Sequence, residues 1–598
     1  MNSEERSQIA TAIALTVGFI SLGIGVLVAY TNPATEYELS IYASTPLVFW
    51  IAVIFATAVS MAAVASQKDK VLTASGYILA LGSVISVVSL PLIRNYYYYG
   101  AGDSMSHLGW AREIGSGVLS PLGLLYPGTH ITANYMSEVS GMGLTQALQW
   151  IPMVIYPLIG MVSIGMCIAY LTDSRWGLPV GIFSGLLLVP INKLSVHIIS
   201  HPSSQAILFF GFVLFLLFLF LTQQSERTLL SPISLLLLLV ALSMVFIHPQ
   251  EAMMMIVTLL TIAGVQLVFR RKRPSSEIAG QPLPILHGLA ALSLFAVWVP
   301  QHARPVDRFS FVLDSFFEQG STTGTEVEAR TGSLATLGAS VEELFVKLFL
   351  VTLIFSLLGI VLLLLNLRGN LPDTETQRNS IITYLTVVFF PLTMAVGVVF
   401  LANQGDHYFR FFGFLMVPVT IVGGVALVEL FSTLDLRLPR AATVSSFVII
   451  FMLLLSMQAA AFHASPYMYQ PNKQVTEASF DGYEFAFEHR NEETAFLSFR
   501  KGPRRFIDAY YGRYTARAGL DFPGYRHGVT GEVFNSNIST HYDEDRYFVV
   551  RDTNYKNEVI MYDGLQYTQE GFDQLERQRS IHKVTDNGEV RLYLIRNS

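Results

Sequence analysis

Asp103 and His107 stand four residues apart in the stretch GDSMSHLGWAREI. On a helix, residues i and i+4 share a face, so this carboxylate and imidazole would point the same way. Such a pair can act as a general base or hold a divalent ion such as Mg or Mn. The same spacing also serves an Asp that caps a helix beside a surface His. Downstream, the turn Tyr126-Pro127-Gly128 leads to His130. His197 and His201 precede Pro202, and His248 precedes Pro249 and Glu251. Imidazoles near acidic groups suit proton transfer or metal ligation, although these spacings match no standard zinc pattern. A further stretch, NQGDHYFRFF, carries His407 and Arg410. A guanidinium can grip a phosphate through two parallel hydrogen bonds, and flanking aromatics suit an apolar chain at a membrane surface. The alternative for Arg410 is a pair with Asp406 or contact with lipid headgroups. Glu342, in ASVEE, offers a carboxylate to a metal or an acceptor, or simply complements a helix N-terminus.

These groups need a scaffold, and the composition says which kind. Of 598 residues, 52% are hydrophobic and only 14% charged, against about 25% charged in soluble domains. Mean hydropathy is +0.47. A bilayer can solvate that much apolar surface, whereas a soluble core cannot bury it. The net charge of −6 argues against nucleic acid as a partner. The single cysteine, Cys167, rules out an intramolecular disulfide.

Apolar runs fall at 9–30, 46–66, 71–93, 146–171, 177–192, 204–222, 230–248, 251–269, 285–302, 345–366, 381–402, 411–431 and 443–462, thirteen in all. Each is read as a membrane span, the first being too long for a cleaved signal. With the N-terminus cytoplasmic, short cytoplasmic segments hold thirteen basic residues, among them Arg175, Arg270, Arg271, Lys272, Arg273 and Arg440. The short external segments hold only Lys193 and Arg410. That asymmetry is the positive-inside pattern. Two long external loops, 94–145 and 303–344, interrupt the bundle of residues 1–462. Residues 463–598 contain no run long enough to span. There RYFVVRD and RLYLI read as strands, and FDGYEFAFEHR and QEGFDQLERQR as helices. The expected fold is an α-helical polytopic membrane protein with a small C-terminal α+β extracytoplasmic domain. Asn537-Ile538-Ser539 is an N-glycosylation sequon on that domain.

On this topology the unusual polar residues gather at the external membrane surface, where such groups tend to be functional. The chain resembles the GT-C superfamily of membrane glycosyltransferases. The resemblance rests on Asp103 in the first external loop, histidines and aromatics at external helix ends, Arg410 heading a late span, and a soluble domain after the last helix. YPGTH is similar to a YPxxxH-like stretch of archaeal and actinobacterial members. The layout also resembles the oligosaccharyltransferase catalytic subunit, with Ser340-Val341-Glu342-Glu343 where that family keeps an SVSE-like motif. WWDYG is missing from residues 463–598, and the first external loop has no DxD pair.

The resemblance implies transfer of a sugar or glycan from a polyprenyl- or dolichyl-phosphate-linked donor to a glycan, lipid or protein acceptor outside the membrane. In that reading Asp103 and His107 are catalytic, and Arg410 and His407 bind the donor phosphate. Tyr126, His130, His197, His201, His248, Glu251 and Glu342 are pocket candidates. A divalent metal is possible but not required. The competing reading is a transporter or flippase for a lipid-linked glycan or small solute. Transporters place ionisable groups near the midplane and often repeat a half. Here those groups sit at one rim, and no internal repeat is found.

Overall fold

The computed structural model describes all residues except 1–2, 188–193, 224–230, 304–337, 369–375, 403–406, 501 and 598. Among the described residues, ten helices are long and apolar enough to cross a membrane. Three shorter apolar helices, Gly177–Leu186, Pro232–Ile247 and Ile285–Gln301, occupy the other three positions where the sequence has apolar runs. The chain is a multi-pass membrane protein. At 1.5 Å rise per residue, Gly177–Leu186 covers about 15 Å, half of a bilayer core. It is shorter than the span expected over 177–192, whose last residues lie outside the described ones. Most of the second long loop and Lys193 also fall outside them.

Six helices position the polar residues of interest. They are α1 (Asp103–Gly115), α2 (Gly128–Ser140), α3 (Pro202–Leu221), α4 (Pro249–Lys272), α5 (Tyr408–Arg437) and α6 (Arg504–Tyr511). Proline occupies the first position of α3 and of α4. Its fixed φ suits a helix start and its missing N–H is not needed there. His201 and His248 are therefore the residues just outside two spans. The outer faces of the bundle carry exposed apolar side chains such as Leu239, Leu364 and Phe390, as a lipid-facing surface requires.

After the last apolar helix the chain forms a five-stranded mixed sheet. Strand β1 (Tyr98–Tyr99) of the first loop pairs antiparallel with β2 (Gln474–Val475). The larger sheet contains β3 (Ala495–Phe499), β4 (Gly528–Val529), β5 (Arg546–Arg551), β6 (Ile581–Asp586) and β7 (Val590–Ile595). Its order is β4-β3-β5-β7-β6, with β3 parallel to both neighbours and the other pairs antiparallel. All five residues of β3 are buried, as expected of a parallel strand covered on both faces. The expected strands and helices form, the helices as Glu477–Glu488 and Gln569–Arg577.

The first loop and the C-terminal sheet region are sewn together at α1. A Cβ on Gly109 would sit 1.9 Å from the Asp508 carbonyl oxygen, so only glycine lets α1 approach α6 this closely. The buried carboxylate of Glu113 accepts from the backbone N–H groups of Tyr514 at 2.8 Å and Thr515 at 2.7 Å. Gly512, at φ 91°, lies against the same carboxylate and supplies the left-handed turn between them. The Arg112 guanidinium donates to the Ala509 carbonyl at 2.7 Å.

Candidate active site

A cavity of about 100 Å³ opens where α1, α3, α4 and α5 meet the C-terminal region. Asp103, Ser106, His107, Trp110, Tyr126, His201, Pro202, Ser203, His248, Arg410 and Arg513 line it. Residues separated by more than 400 positions thus share one wall.

Asp103 begins α1, after Gly102, whose φ of 101° turns the chain into the helix. Its carboxylate is largely exposed at the rim and is paired with the Arg505 guanidinium of α6. Arg505 also donates to Ser106 Oγ at 2.7 Å. One turn on, His107 Nδ1 lies 3.0 Å from His130 Nε2 of α2. That contact occupies one nitrogen of His107 and leaves Nε2 for the cavity. Both rings are buried. Burial, then the neighbouring His130 and Arg513, holds His107 well below the usual histidine range. Burial holds His130 down at about 4, against the opposing pull of the Tyr126 and Pro127 backbone. Both imidazoles are accordingly neutral at pH 7.

A second constellation comes from the starts of α3 and α4. Glu251 is buried, and its carboxylate accepts from Ser203 Oγ at 2.6 Å and contacts His248 Nδ1. The carboxylate fixes the ring, and Nε2 of His248 is the nitrogen left toward the cavity. Tyr126 packs on His248 with ring centroids 5.3 Å apart. His201 Nδ1 lies 3.0 Å from Ser204 Oγ, and His197 stands edge-on to His201 at 5.1 Å.

Arg410 lies in the first turn of α5. Among the described residues no carboxylate pairs with it, and Asp406, the alternative partner, is outside them. Arg513 reaches the same cavity from the segment after α6.

The sequence-derived set divides as follows. Asp103, His107, Tyr126, His201, His248 and Arg410 line the cavity. His130, His197 and Glu251 stand directly behind lining residues. His407 is at the head of α5 and is not part of the lining. Glu342 is elsewhere: it lies exposed in the first turn of Val341–Leu367, where an acid complements the helix dipole and Ser340 caps. It is not a residue of this cavity. Asn537 is exposed, and Ser539 donates to its side chain at 2.8 Å.

Sequence reasoning missed Ser106, Trp110, Ser203, Arg505, Asp508 and Arg513. The available signal was the helical spacing of Ser106 and Trp110 from Asp103 and His107. For Asp508 and Arg513 it was an acid and a cation within IDAYYGR, a stretch otherwise rich in aromatics.

Among the described residues, no group of three His, Cys, Asp or Glu is placed to hold a metal ion. The donor chemistry agrees, since the Arg505 guanidinium beside Asp103 and two further guanidiniums in the lining already place positive charge around the cavity. These residues do not fit a divalent cation.

No family model and no curated protein matches the chain. Among solved structures, it is similar to ArnT from Cupriavidus metallidurans bound to undecaprenyl phosphate, at 12% identity and TM-score 0.47, over 88% of this chain and 99% of that one. It is also similar to the Archaeoglobus fulgidus oligosaccharyltransferase in complex with Zn and sulfate, at 12% identity and TM-score 0.45, over 80% and 69%. The archaeal oligosaccharyltransferase AglB from the same organism, with an inhibitory peptide and a dolichol-phosphate, aligns at 11% identity and TM-score 0.42, over 86% and 74%. At these scores and identities the likeness lends no weight to a particular reaction, which the geometry of the cavity must carry.

Proposed function

We propose that this chain is a membrane glycosyltransferase that moves a sugar or glycan from a polyprenyl- or dolichyl-phosphate-linked donor to an acceptor on the extracytoplasmic face. The observation that carries the reading is one cavity at the ends of membrane helices with a carboxylate, Asp103, at its rim and an arginine free of any described carboxylate, Arg410, in its wall. A site for moving solutes would put such groups near mid-membrane, on broken helices. In this orientation the N-terminus is cytoplasmic, and the cavity and C-terminal domain face out.

The mechanism follows from charge. The isoprenoid tail lies between helices, with its phosphate at Arg410. The acceptor enters at the rim, where Asp103 orients its hydroxyl and takes the proton as oxygen attacks the anomeric carbon. The sugar–phosphate bond breaks, and Arg410 stabilises the negative charge collecting on the departing phosphate. Neutral His107 lines the path without adding positive charge that would hold the product phosphate. No step passes through a metal. The test is sugar transfer from a lipid-linked donor by purified Asp103→Asn and Arg410→Ala, each expected to lose about 10²-fold or more. Full activity in both would sink the assignments.

A further inference from the structure

The donor site proposed above, on which this inference rests, has a second cation that no membrane helix supplies. Arg513 follows α6 and lines the cavity alongside Arg410. Its setting is built rather than incidental. One guanidinium nitrogen, Nη1, donates to Asp508 Oδ2 at 3.0 Å, and the guanidinium stands 4.6 Å from the centre of the Trp110 ring. Its side chain is only 11% exposed. Of five guanidinium N–H donors, the contact with Asp508 uses one, and Nε is buried with no partner. Donors left unpaired at that depth carry a free-energy cost that a bound anion would remove.

Asp508 is fully buried and accepts from Ser106, Tyr525 and Arg513, with Arg505 3.8 Å away. It lies on α6, pressed against Gly109, so it fixes the Arg513 fork relative to α1. Both arginines act on the same neighbours: Arg513 and Arg410 each help depress His107.

We propose that Arg513 is a second phosphate-gripping residue of this cavity, delivered by the C-terminal domain and aimed by Asp508. The lipid-phosphate site is therefore complete only when that domain is docked on α1, and the domain closes the donor site. The ligand is a phosphate monoester or diester on an isoprenoid chain.

The experiment compares binding of undecaprenyl phosphate and of undecaprenol to the full chain in nanodiscs. Wild type is expected to prefer the phosphate at least tenfold. Arg513→Gln should reduce that preference about tenfold, as should Arg410→Gln, with undecaprenol binding unchanged. Because Arg513→Gln also removes a partner of buried Asp508, Arg513→Lys is measured beside it. That variant keeps the charge, loses the planar fork, and should keep part of the preference. Asp508→Asn, which keeps the side-chain shape toward Ser106 and Tyr525 but weakens the hold on Arg513, should show a smaller loss of preference with the same undecaprenol binding. Full phosphate preference in Arg513→Gln overturns the proposal, as does an equal fall for phosphate and alcohol, which marks a structural role. Selective binding that needs Arg513 but is followed by no sugar transfer keeps this inference and discards the transferase reading. Transfer that is indifferent to Arg513 does the reverse.

Discussion

The two ends of helix α5 solve opposite problems with the same residue types. Arg410 stands in its first turn, in the cavity wall, while Asp435 lies about 38 Å away along the axis, near its last turn. At that far end Asp435 pairs with Arg175 in a partly exposed ion pair, and Arg440 donates to the Ser66 carbonyl. At the cavity end, Asp508 and Glu251 are buried and held by three and two polar partners respectively. Burying a charge is costly unless it is fully paired, so the cavity end keeps charges that packing alone would not select. Helix α4 repeats the contrast, with Glu251 in its first turn and Arg270, Arg271 and Lys272 in its last.

The sharpest way to break this contrast is at Glu251. Glu251→Gln keeps the shape but removes the charge that fixes His248, and transfer should fall about 10²–10³-fold in kcat with the fold retained. Unchanged kcat would make the cavity-end carboxylate merely structural.

Next comes pH. A histidine in the unfolded chain titrates near 6.5, whereas His130 in the fold is held at about 4. Below pH 6.5 the unfolded chain takes up a proton that the folded chain refuses, so stability is intact above 6.5 and falls as pH drops toward 4. The loss through this group is about 3 kcal/mol. Thermal melts from pH 7.5 to 4.5 should show it, and His130→Asn should flatten that part of the profile. An equal slope in the variant would assign the dependence to other groups.

Gly109 tests the joint. Gly109→Ala places a methyl group against the Asp508 backbone and should cost about 1–3 kcal/mol, seen as faster proteolysis of the C-terminal region. Arg175→Ala at the far end should change stability by less than about 1 kcal/mol and leave transfer intact. A large effect there would erase the contrast between the two ends.

The sequence reading was strongest where one physical rule decides. Twenty apolar residues in a row have few fates besides a membrane or a core, so each apolar run holds an apolar helix; among the described residues ten of these are long enough to span, while Gly177–Leu186, Pro232–Ile247 and Ile285–Gln301 are shorter than the thirteen-span reading expects. The rim histidines and Arg410 were legible because each begins a span, and span ends on one side must be near one another. Asp508 and Arg513 were not legible. Their neighbours are polar and aromatic, as on any soluble surface, and their role depends on a contact across some 400 residues that only Gly109 and Gly512 permit. For Glu342 the sequence left two readings, and its place in the first turn of Val341–Leu367 is the one that complements a helix N-terminus.

The central claim is that the first loop, the head of α5 and the C-terminal domain share one side of the membrane. Cys167, the native cysteine, is buried, so single engineered cysteines report cleanly. Ser140→Cys and Thr540→Cys, both exposed positions, should react with a membrane-impermeant maleimide from the same side, and Arg271→Cys only from the other. Labelling of residues 140 and 540 from opposite sides would contradict the shared cavity and everything assigned to it.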